Sequence, residues 1–199
     1  MAKEEQSGKS ASFGKLGPKT AIAVFGGGCF WCTEAIFQNL EGVVSARPGY
    51  TGGSVPNPTY EQVSTGNTGH AEATRIEFDP SLISYDDLLT VFFATHDPTL
   101  LNRQGNDIGT QYRSVIFYAD ASQKEAAKRF IAKLQSESPK PIVTALAPLG
   151  EFYEAEDYHR NYYLKHGDEP YCRLVIAPKL EHLRRDFRSL LKKSAATKS

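Results

Sequence analysis

The sequence predicts an α+β fold with a two-layer, ferredoxin-like core of the split βαβ type, to which further helices, long loops and an extended C-terminal segment are added. Two observations lead to this prediction. The first elements follow the order β-α-β-β-α-β, which is the order of that core. The chain has 199 residues, 40% hydrophobic and 23% charged, and these values are typical of one globular domain large enough to bury a core.

Short apolar runs predict the strands. The run AIAVF at 21–25 is typical of a buried strand, and three glycines end it. The run ATRIEF alternates between apolar and polar residues and is ended by Asp79 and Pro80. The predicted strands are residues 21–25, 42–50, 73–78, 112–120 and 141–146. A last apolar run occupies residues 172–177.

Helical spacing predicts the helices. Apolar residues recur at this spacing from Cys29 to Leu40, so the first helix begins at or near Cys29. Ser84 is suited to cap another helix, because Asp87 follows three residues later. The predicted helices are residues 29–40, 84–95, 121–136, 154–166 and a closing helix from 179.

Two long polar stretches, 51–72 and 96–111, predict loops. Loops of this length inside a compact domain are uncommon unless they are functional, and we expect both to pack over the cysteine end of the first helix. The chain is thereby divided into a disordered N-terminal tail (1–20), a single catalytic domain (21–187) and a flexible C-terminal tail (188–199).

The composition argues against several kinds of partner. Lys plus Arg and Asp plus Glu both number 23, so the net charge gives no indication of binding to nucleic acid or membrane. No apolar run approaches the ~20 residues of a membrane span, and the N-terminus lacks the apolar core of a signal peptide. Three cysteines are too few for a secreted disulfide framework. We therefore expect a cytoplasmic protein, and the balanced charge favours a monomer.

The stretch FGGGCFWCTEAIF carries the strongest chemical signal. A cysteine at a helix start is expected to have a lowered thiol pKa, because the first helical N–H groups are unpaired and partly positive. Cys29 has this position, and Phe30 and Trp31 can form an apolar wall beside its sulfur. Core packing remains a rival interpretation for these two aromatic residues. For Cys32, on the apolar stripe of the helix, inert packing and redox work are equally favoured.

Three classes of protein fit this motif. The first is a thiol enzyme that acts on an oxidised or acyl substrate. The second is a thioredoxin-like dithiol oxidoreductase, since C-x-x-C opens a helix, but the aromatic interior of the motif and the long loops do not suit that fold. The third is a zinc module, which is disfavoured because a structural site needs four ligands and the chain has only one C-x-x-C pair. No metal or organic cofactor is expected.

Further motifs follow the cysteine stretch in a fixed order. They are GGGCFWCTEAIF, GYTGG, NPTYEQV, TGHAE, FFATHDPT, RQGNDIGTQYRS, FYEAEDYHRNYY and PYC. In this order and over residues 21–178, the chain closely resembles the A-type peptide methionine sulfoxide reductases. The resemblance implies reduction of the S-epimer of methionine sulfoxide, free or in proteins, through a sulfenic acid and an intramolecular disulfide that thioredoxin reduces.

The resemblance also implies roles for individual residues. Cys29 matches the nucleophile and Glu72 the proton donor. Phe30 and Trp31 match the pocket for the sulfoxide methyl group. The groups that orient the sulfoxide oxygen match Tyr60, Asp107 and Tyr112.

Glu72 can act as the acid only if it holds its proton near neutral pH. A free glutamate has a pKa of about 4.3, so burial and a nearby anion must raise that pKa. Without the ordered motifs, a solvated loop carboxylate is the favoured interpretation of Glu72.

The resolving thiol is the point at which the chain departs from the family pattern. Many members have glycine where this chain has Cys32, and many have a further cysteine in a glycine-rich C-terminal segment. Cys172 matches a recycling cysteine, and no cysteine follows it. We therefore expect Cys172 to be the resolving thiol and Cys32 to be auxiliary or inert. A Cys29–Cys32 disulfide is expected to require loosening of the first helical turn.

Overall fold

The computed structural model describes residues 20–196. The predicted N-terminal tail, except Thr20, lies outside these residues. A six-stranded sheet in the order β7-β6-β1-β3-β2-β8 forms the centre of the fold, and β4 and β5 form a small separate hairpin. The strands are β1 (Ala21–Gly26), β2 (Val43–Thr51), β3 (Ala71–Phe78), β4 (Arg103–Gln104), β5 (Asp107–Ile108), β6 (Val115–Tyr118), β7 (Ala145–Pro148) and β8 (Phe152–Glu154).

Neighbouring strands of the large sheet are antiparallel, except that β6 and β7 are parallel. The helices are α1 (Phe30–Phe37), α2 (Tyr60–Ser64), α3 (Tyr85–Thr95), α4 (Ala121–Glu137), α5 (Tyr162–His166), α6 (Ala177–Asp186) and α7 (Lys193–Ala196). The predicted α+β class is thereby confirmed. None of these helices in the described part of the chain is long and apolar enough to cross a membrane.

Strand β1 is central because its side chains serve two apolar clusters. Ala23 and Phe25 belong to the larger one, which α1, α3 and α6 cover, and the Phe25 ring stacks on Phe92 at 4.8 Å. Val24 points to the opposite face, where it joins a smaller cluster with Phe117. This alternation is the expected period of two along a strand. It fixes which side chains of the neighbouring strand β3 face α1.

Local signals placed the starts of α1, α3 and the strands β1 to β3 to within two residues. Helix α1 begins directly after Cys29, which is its N-cap with φ −59° and ψ 128°. Helix α3 carries the predicted capping box, in which the Ser84 hydroxyl accepts from the Asp87 N–H and the Asp87 carboxylate accepts from the Ser84 N–H. The polar stretch 51–72 differs from its prediction, because it contains the short helix α2 and the start of β3.

The predicted helix at 154–166 is wrong. Residue 154 is the last residue of strand β8, and a 3₁₀ turn follows at Asp157–His159. Only Tyr162–His166 is α-helical. Asn161 has left-handed backbone angles, φ 54° and ψ 38°, which interrupt any continuous helix. Glu156 accepts long-range hydrogen bonds from Tyr50 and Tyr60, and these contacts outweigh the local helical pattern.

The C-terminal segment packs on the core as far as the structure describes it. The apolar run at 172–177 forms a π-helical turn, Cys172–Ile176, which leads directly into α6. The sequence predicted a flexible tail from residue 188, but Leu191 is buried and forms a β-bridge with Leu40. The Leu190 carbonyl accepts a hydrogen bond from the Glu41 N–H, the Lys192 N–H donates one to the Asn39 carbonyl, and Ala195 is buried in the larger apolar cluster. This segment is therefore held against the domain.

Candidate active site

The predicted cysteine lies where β1 meets α1. Gly28, directly before Cys29, has φ +93°, a conformation that favours glycine. A Cβ atom at Gly28 would lie 2.7 Å from the Gln104 side chain. The glycine therefore allows the 96–111 loop to pack against the start of α1, as the sequence analysis expected.

Glu72 reaches the same point from β3. Ala71 and Ala73 face the smaller cluster, so the alternation of the strand directs Glu72 towards α1. The Glu72 side chain is 2% exposed, and its Oε2 accepts a hydrogen bond of 3.0 Å from the main-chain N–H of Phe30. Burial raises the pKa of Glu72 to about 8, against the opposing effect of that hydrogen bond. Nearby Asp107 and Cys32 raise it further.

The Cys29 and Cys32 thiols interact at the helix start, and each shifts the pKa of the other. Burial raises the pKa of the Cys29 thiol most, and a hydrogen bond to the Cys32 sulfur raises it further. The same contact with Cys29 lowers the pKa of Cys32 to about 7, and the positive charge of Lys179 adds to this. The position of Cys29 at a helix start predicts a lowered thiol pKa there, but this prediction is wrong, because the lowered pKa belongs to Cys32. The pair thus titrates as a unit that loses its first proton near neutral pH.

A cavity of about 390 Å³ opens beside both sulfur atoms. Asp107 lines it, and the Asp107 carboxylate accepts a hydrogen bond of 2.9 Å from the Tyr171 hydroxyl. That hydroxyl lies 3.9 Å from the Cys32 sulfur. The full lining is Cys29, Cys32, Gln104, Gly105, Asn106, Asp107, Tyr171, Leu174, Val175 and Lys179. Loop 96–111 and the C-terminal segment therefore enclose the thiol pair together.

Trp31 is held on three sides. Its ring stacks on Tyr162 at 3.7 Å with an angle of 4° between the planes. Its indole N–H donates a hydrogen bond of 3.0 Å to His159 Nδ1, and the Tyr171 ring meets it edge-on. The Phe30 ring is buried and meets the His159 ring edge-on at 4.9 Å. These contacts give the first turn of α1 a rigid aromatic surface.

Tyr60 and Tyr112 lie around Glu72 and are half-buried. Burial raises the pKa of both hydroxyls, and the negative charge of Glu72 is the next cause for each. The negative charges of Cys29 and Asp107 also raise the pKa of both hydroxyls. The fold thus brings together all five residues that the sequence analysis named as catalytic.

Cys172 has a different position. It is fully buried in the larger apolar cluster and does not line the cavity. Burial raises the pKa of its thiol, and the negative charges of Glu169 and Cys32 add to this. Cys172 therefore lies near Cys29 and Cys32 but does not face the cavity that those two residues line.

Several residues at the site were not singled out from the sequence. They are Glu156, His159, Tyr162, Tyr171 and Lys179. Glu156 accepts hydrogen bonds from the Tyr50 hydroxyl at 2.8 Å and the Tyr60 main-chain N–H at 2.9 Å, so it ties the His159 segment to α2. Four of the five lie inside motifs already recognised, FYEAEDYHRNYY and PYC, and those motifs were the available signal.

The site has the parts of a thiol-based reductase: a cysteine at a helix start, a second thiol beside it and a carboxyl group that keeps its proton near neutral pH. Among residues 20–196, no group of three or more His, Cys, Asp or Glu is arranged to hold a metal ion. A family model described as peptide methionine sulfoxide reductase matches residues 21–191. The chain belongs to the peptide methionine sulfoxide reductase family.

Curated relatives agree over most of the chain. The peptide methionine sulfoxide reductase MsrA of Thermus thermophilus is 56% identical over 171 residues, which cover 86% of this chain and 97% of the relative. MsrA of Sulfolobus acidocaldarius is 55% identical over 166 residues, 83% of this chain and 94% of the relative. The chain accordingly catalyses the reduction of methionine sulfoxide, with the activity of a peptide-methionine (S)-S-oxide reductase.

Solved structures of the family resemble the fold. Mxr1 from Saccharomyces cerevisiae in its reduced form matches with a TM-score of 0.72 and 33% identity, covering 79% of this chain and 92% of that one. Methionine sulfoxide reductase A of Corynebacterium diphtheriae matches with a TM-score of 0.69 and 38% identity, covering 75% and 76%.

Proposed function

We propose that Cys29 attacks the sulfoxide sulfur while Glu72 protonates the sulfoxide oxygen. The observation that carries this proposal is the hydrogen bond from the Phe30 N–H to Glu72, which holds a protonated carboxyl group next to the helix start that bears Cys29. Without a proton on oxygen the displacement is very unfavourable, so a thiolate alone does not suffice.

The electrons and atoms of this step balance within the site. The thiol pair carries one negative charge near neutral pH. Movement of the remaining proton from Cys29 to Cys32 then leaves the thiolate on Cys29. The Cys29 sulfur gives two electrons to the sulfoxide sulfur and receives the oxygen, with the proton from Glu72, as sulfenic acid. The methionine thioether is released.

The remaining predicted residues bind and orient the substrate in this proposal. Tyr60 and Tyr112 donate O–H bonds to the sulfoxide oxygen without carrying charge, because their raised pKa values keep them neutral. Asp107 fixes the cavity side of the site through Tyr171. Phe30 and Trp31 hold the methyl group against their aromatic faces.

We propose that Cys32 resolves the sulfenic acid first and that Cys172 acts second. Cys29 lies at the N-cap with its backbone outside the helix, and Cys32 is the third residue of α1, so we expect their disulfide to form without unwinding of α1. A thiol with a pKa of about 7 is well suited to attack at neutral pH. Attack of Cys32 on the sulfenic sulfur forms the disulfide and releases water. Cys172 must leave the core before it can exchange with that disulfide.

Thioredoxin is the proposed external reductant. Mxr1 from S. cerevisiae, whose reduced form is among the similar structures, also has a structure in complex with Trx2. A dithiol reductant returns the Cys29 disulfide to two thiols by exchange through a mixed disulfide.

We also propose the finer organisation expected from the sequence. Strands β6-β1-β3-β2 with α1 and α3 form a split βαβ core of the ferredoxin-like type, supported by their order in the sheet. Residues 21–187 form one catalytic domain, and the C-terminal residues 188–196 pack against it. The low number of cysteines supports a cytoplasmic location, and the balanced charge supports a monomer. The proposed chemistry uses no cofactor.

A single turnover without reductant tests the chemistry. Each epimer of a peptide methionine sulfoxide is mixed with the fully reduced protein, and released methionine is measured beside Cys29→Ser. We expect one equivalent of methionine from the S-epimer and none from the variant. The alternative, a thioredoxin-like dithiol oxidoreductase, leaves both epimers unchanged but reduces a disulfide substrate.

A further inference from the structure

Glu34 is a buried carboxylate that the proposed chemistry does not use. It lies on α1 one turn beyond Trp31 and is 2% exposed. Its Oε1 accepts a hydrogen bond of 2.8 Å from the main-chain N–H of Asn161. Burial raises the pKa of Glu34, while the N–H groups of Asn161 and Tyr162 favour its charged form. A carboxylate held in this way links α1 to a segment distant in sequence.

The segment that Glu34 holds is the one that fixes Trp31. Asn161 has φ 54°, a left-handed conformation that asparagine adopts more readily than most residues with a side chain, and Glu34 holds this turn against α1. The next residue, Tyr162, stacks on the Trp31 ring, and His159, two residues earlier, accepts from the indole N–H. Glu34 is therefore placed to set where both of these Trp31 contacts lie.

A second carboxylate secures the other end of the same segment. Glu156 accepts from the Tyr50 hydroxyl and from the Tyr60 main-chain N–H, so residues 156–162 are tied at both ends. Glu34 is the tie on the side of Tyr162. Without it, the Asn161 N–H would lose its partner, and the left-handed turn would no longer be held against α1.

We propose that Glu34 is a positioning residue for substrate binding: it fixes the turn at Asn161 and thereby the aromatic wall formed by Trp31 and Tyr162. Glu34 does not touch the reacting atoms. The inference deepens the proposed function, because it depends on Trp31 holding the sulfoxide methyl group. Loss of Glu34 should weaken substrate binding and leave the chemical step at Cys29 and Glu72 intact.

Kinetics and fluorescence of the variants Glu34→Leu and Glu34→Gln test the inference. We expect Glu34→Leu to raise KM for the sulfoxide about tenfold with kcat nearly unchanged, the pattern of lost uniform binding and of one lost charge-assisted hydrogen bond. Glu34→Gln, which keeps an acceptor oxygen, should show a smaller rise. Glu41→Gln is the matched control, since Glu41 is exposed at the end of the same helical region.

Trp31 provides a readout that does not depend on turnover, because it is the only tryptophan in the chain. Glu34→Leu should shift its emission to longer wavelength and increase its quenching by acrylamide, and Glu41→Gln should do neither. Asn161→Val disturbs the same turn without touching Glu34, because a β-branched residue does not accept φ 54°. It should reproduce the Glu34→Leu phenotype, whereas Asn161→Gly should resemble the unmodified protein.

The outcomes separate this inference from the proposed function. Unchanged emission and KM in Glu34→Leu and Asn161→Val would overturn the role of Glu34 and leave the proposed chemistry standing. Changed emission with an unchanged KM would instead overturn Trp31 as the wall of the substrate pocket, and with it the kinetic part of the inference. If Glu34→Leu does not fold, Glu34→Gln and Asn161→Val give the same decision.

Discussion

The main-chain N–H of Phe30 donates a hydrogen bond of 3.0 Å to the Glu72 carboxyl group, and this bond joins the start of α1 to β3. Two effects oppose each other there. The N–H favours the carboxylate, burial favours the acid, and burial prevails, since the pKa of Glu72 rises to about 8. The same N–H then stabilises the carboxylate that remains after the proton has passed to the substrate. The same hydrogen bond thus positions the Glu72 carboxyl group and stabilises the carboxylate that forms when it loses its proton.

Replacement of Glu72 by glutamine should slow sulfenic acid formation by at least ~100-fold, the low end for general acid catalysis. Glutamine can still donate a hydrogen bond but has no proton to transfer. The rate is measured as methionine release in a single turnover. Glu77→Gln, on the same strand and away from Cys29, should react normally. A Glu72→Gln rate close to that of the unmodified protein would remove Glu72 from the role of acid.

The pH dependence of the same single turnover should be bell-shaped. The rising limb should follow the first ionisation of the thiol pair, near the Cys32 pKa of about 7. Glu72 acts in its protonated form, so the rate should fall as the pH rises through its pKa of about 8. In Glu72→Gln the residual rate should keep the rising limb and lose the falling one. A falling limb that persists in this variant would have to come from another group.

Disulfide mapping should find Cys29 bonded to Cys32 at the earliest times after one turnover without reductant. The N-cap position of Cys29 makes this bond accessible without movement of α1, whereas Cys172 is buried in the core. Quenched samples are analysed by mass spectrometry over time. Cys172→Ser should form the same first bond. An early Cys29–Cys172 bond, with Cys32 still reduced, would restore Cys172 as the first resolving thiol.

Lys179→Met should raise the pKa of Cys32 above its value of about 7, because the lysine's positive charge lowers that pKa. Iodoacetamide should therefore alkylate Cys32 several-fold more slowly at neutral pH, as peptide mass spectrometry measures directly. Lys179→Arg keeps the charge and should react like the unmodified protein. Equal labelling profiles in all three proteins would show that Cys29 alone sets the ionisation of Cys32.

Local signals in the sequence located the elements around Cys29 and the cap of α3. The glycines before Cys29 and the capping box of Ser84 and Asp87 depend on neighbouring residues, and both are present as predicted. The ordered motifs placed Glu72 near Cys29, which periodicity alone does not do. Prediction of the elements around Cys29 therefore succeeded where neighbouring residues determine them.

Long-range contacts explain the errors. The pattern at 154–166 looks helical, but Glu156 accepts hydrogen bonds from Tyr50 and Tyr60. Asn161 adopts a left-handed turn, and its N–H donates to Glu34 on α1. The raised pKa of Cys29 and the lowered pKa of Cys32 depend on where each sulfur atom lies, and the motif C-x-x-C does not specify those positions. Neither feature can be obtained without the packed structure.

Gly28→Ala should destabilise the protein by about 1–3 kcal/mol, the range for a side chain forced into a left-handed conformation. The added Cβ would also meet the Gln104 side chain at 2.7 Å. Because Gln104 bonds to both the N–H and the carbonyl of Asp97, it cannot move without loosening loop 96–111. Thermal denaturation should show a Tm lowered by several degrees, and turnover should fall because Cys29 shifts relative to Glu72.

Gly150→Ala is the matched control for this substitution. Gly150 is exposed, and a Cβ atom there would meet no atom within 4 Å. Its Tm and turnover should equal those of the unmodified protein. Equal stability of Gly28→Ala and Gly150→Ala would show that the left-handed turn before Cys29 tolerates a side chain, and that the glycine is not required to place the nucleophile at the start of α1.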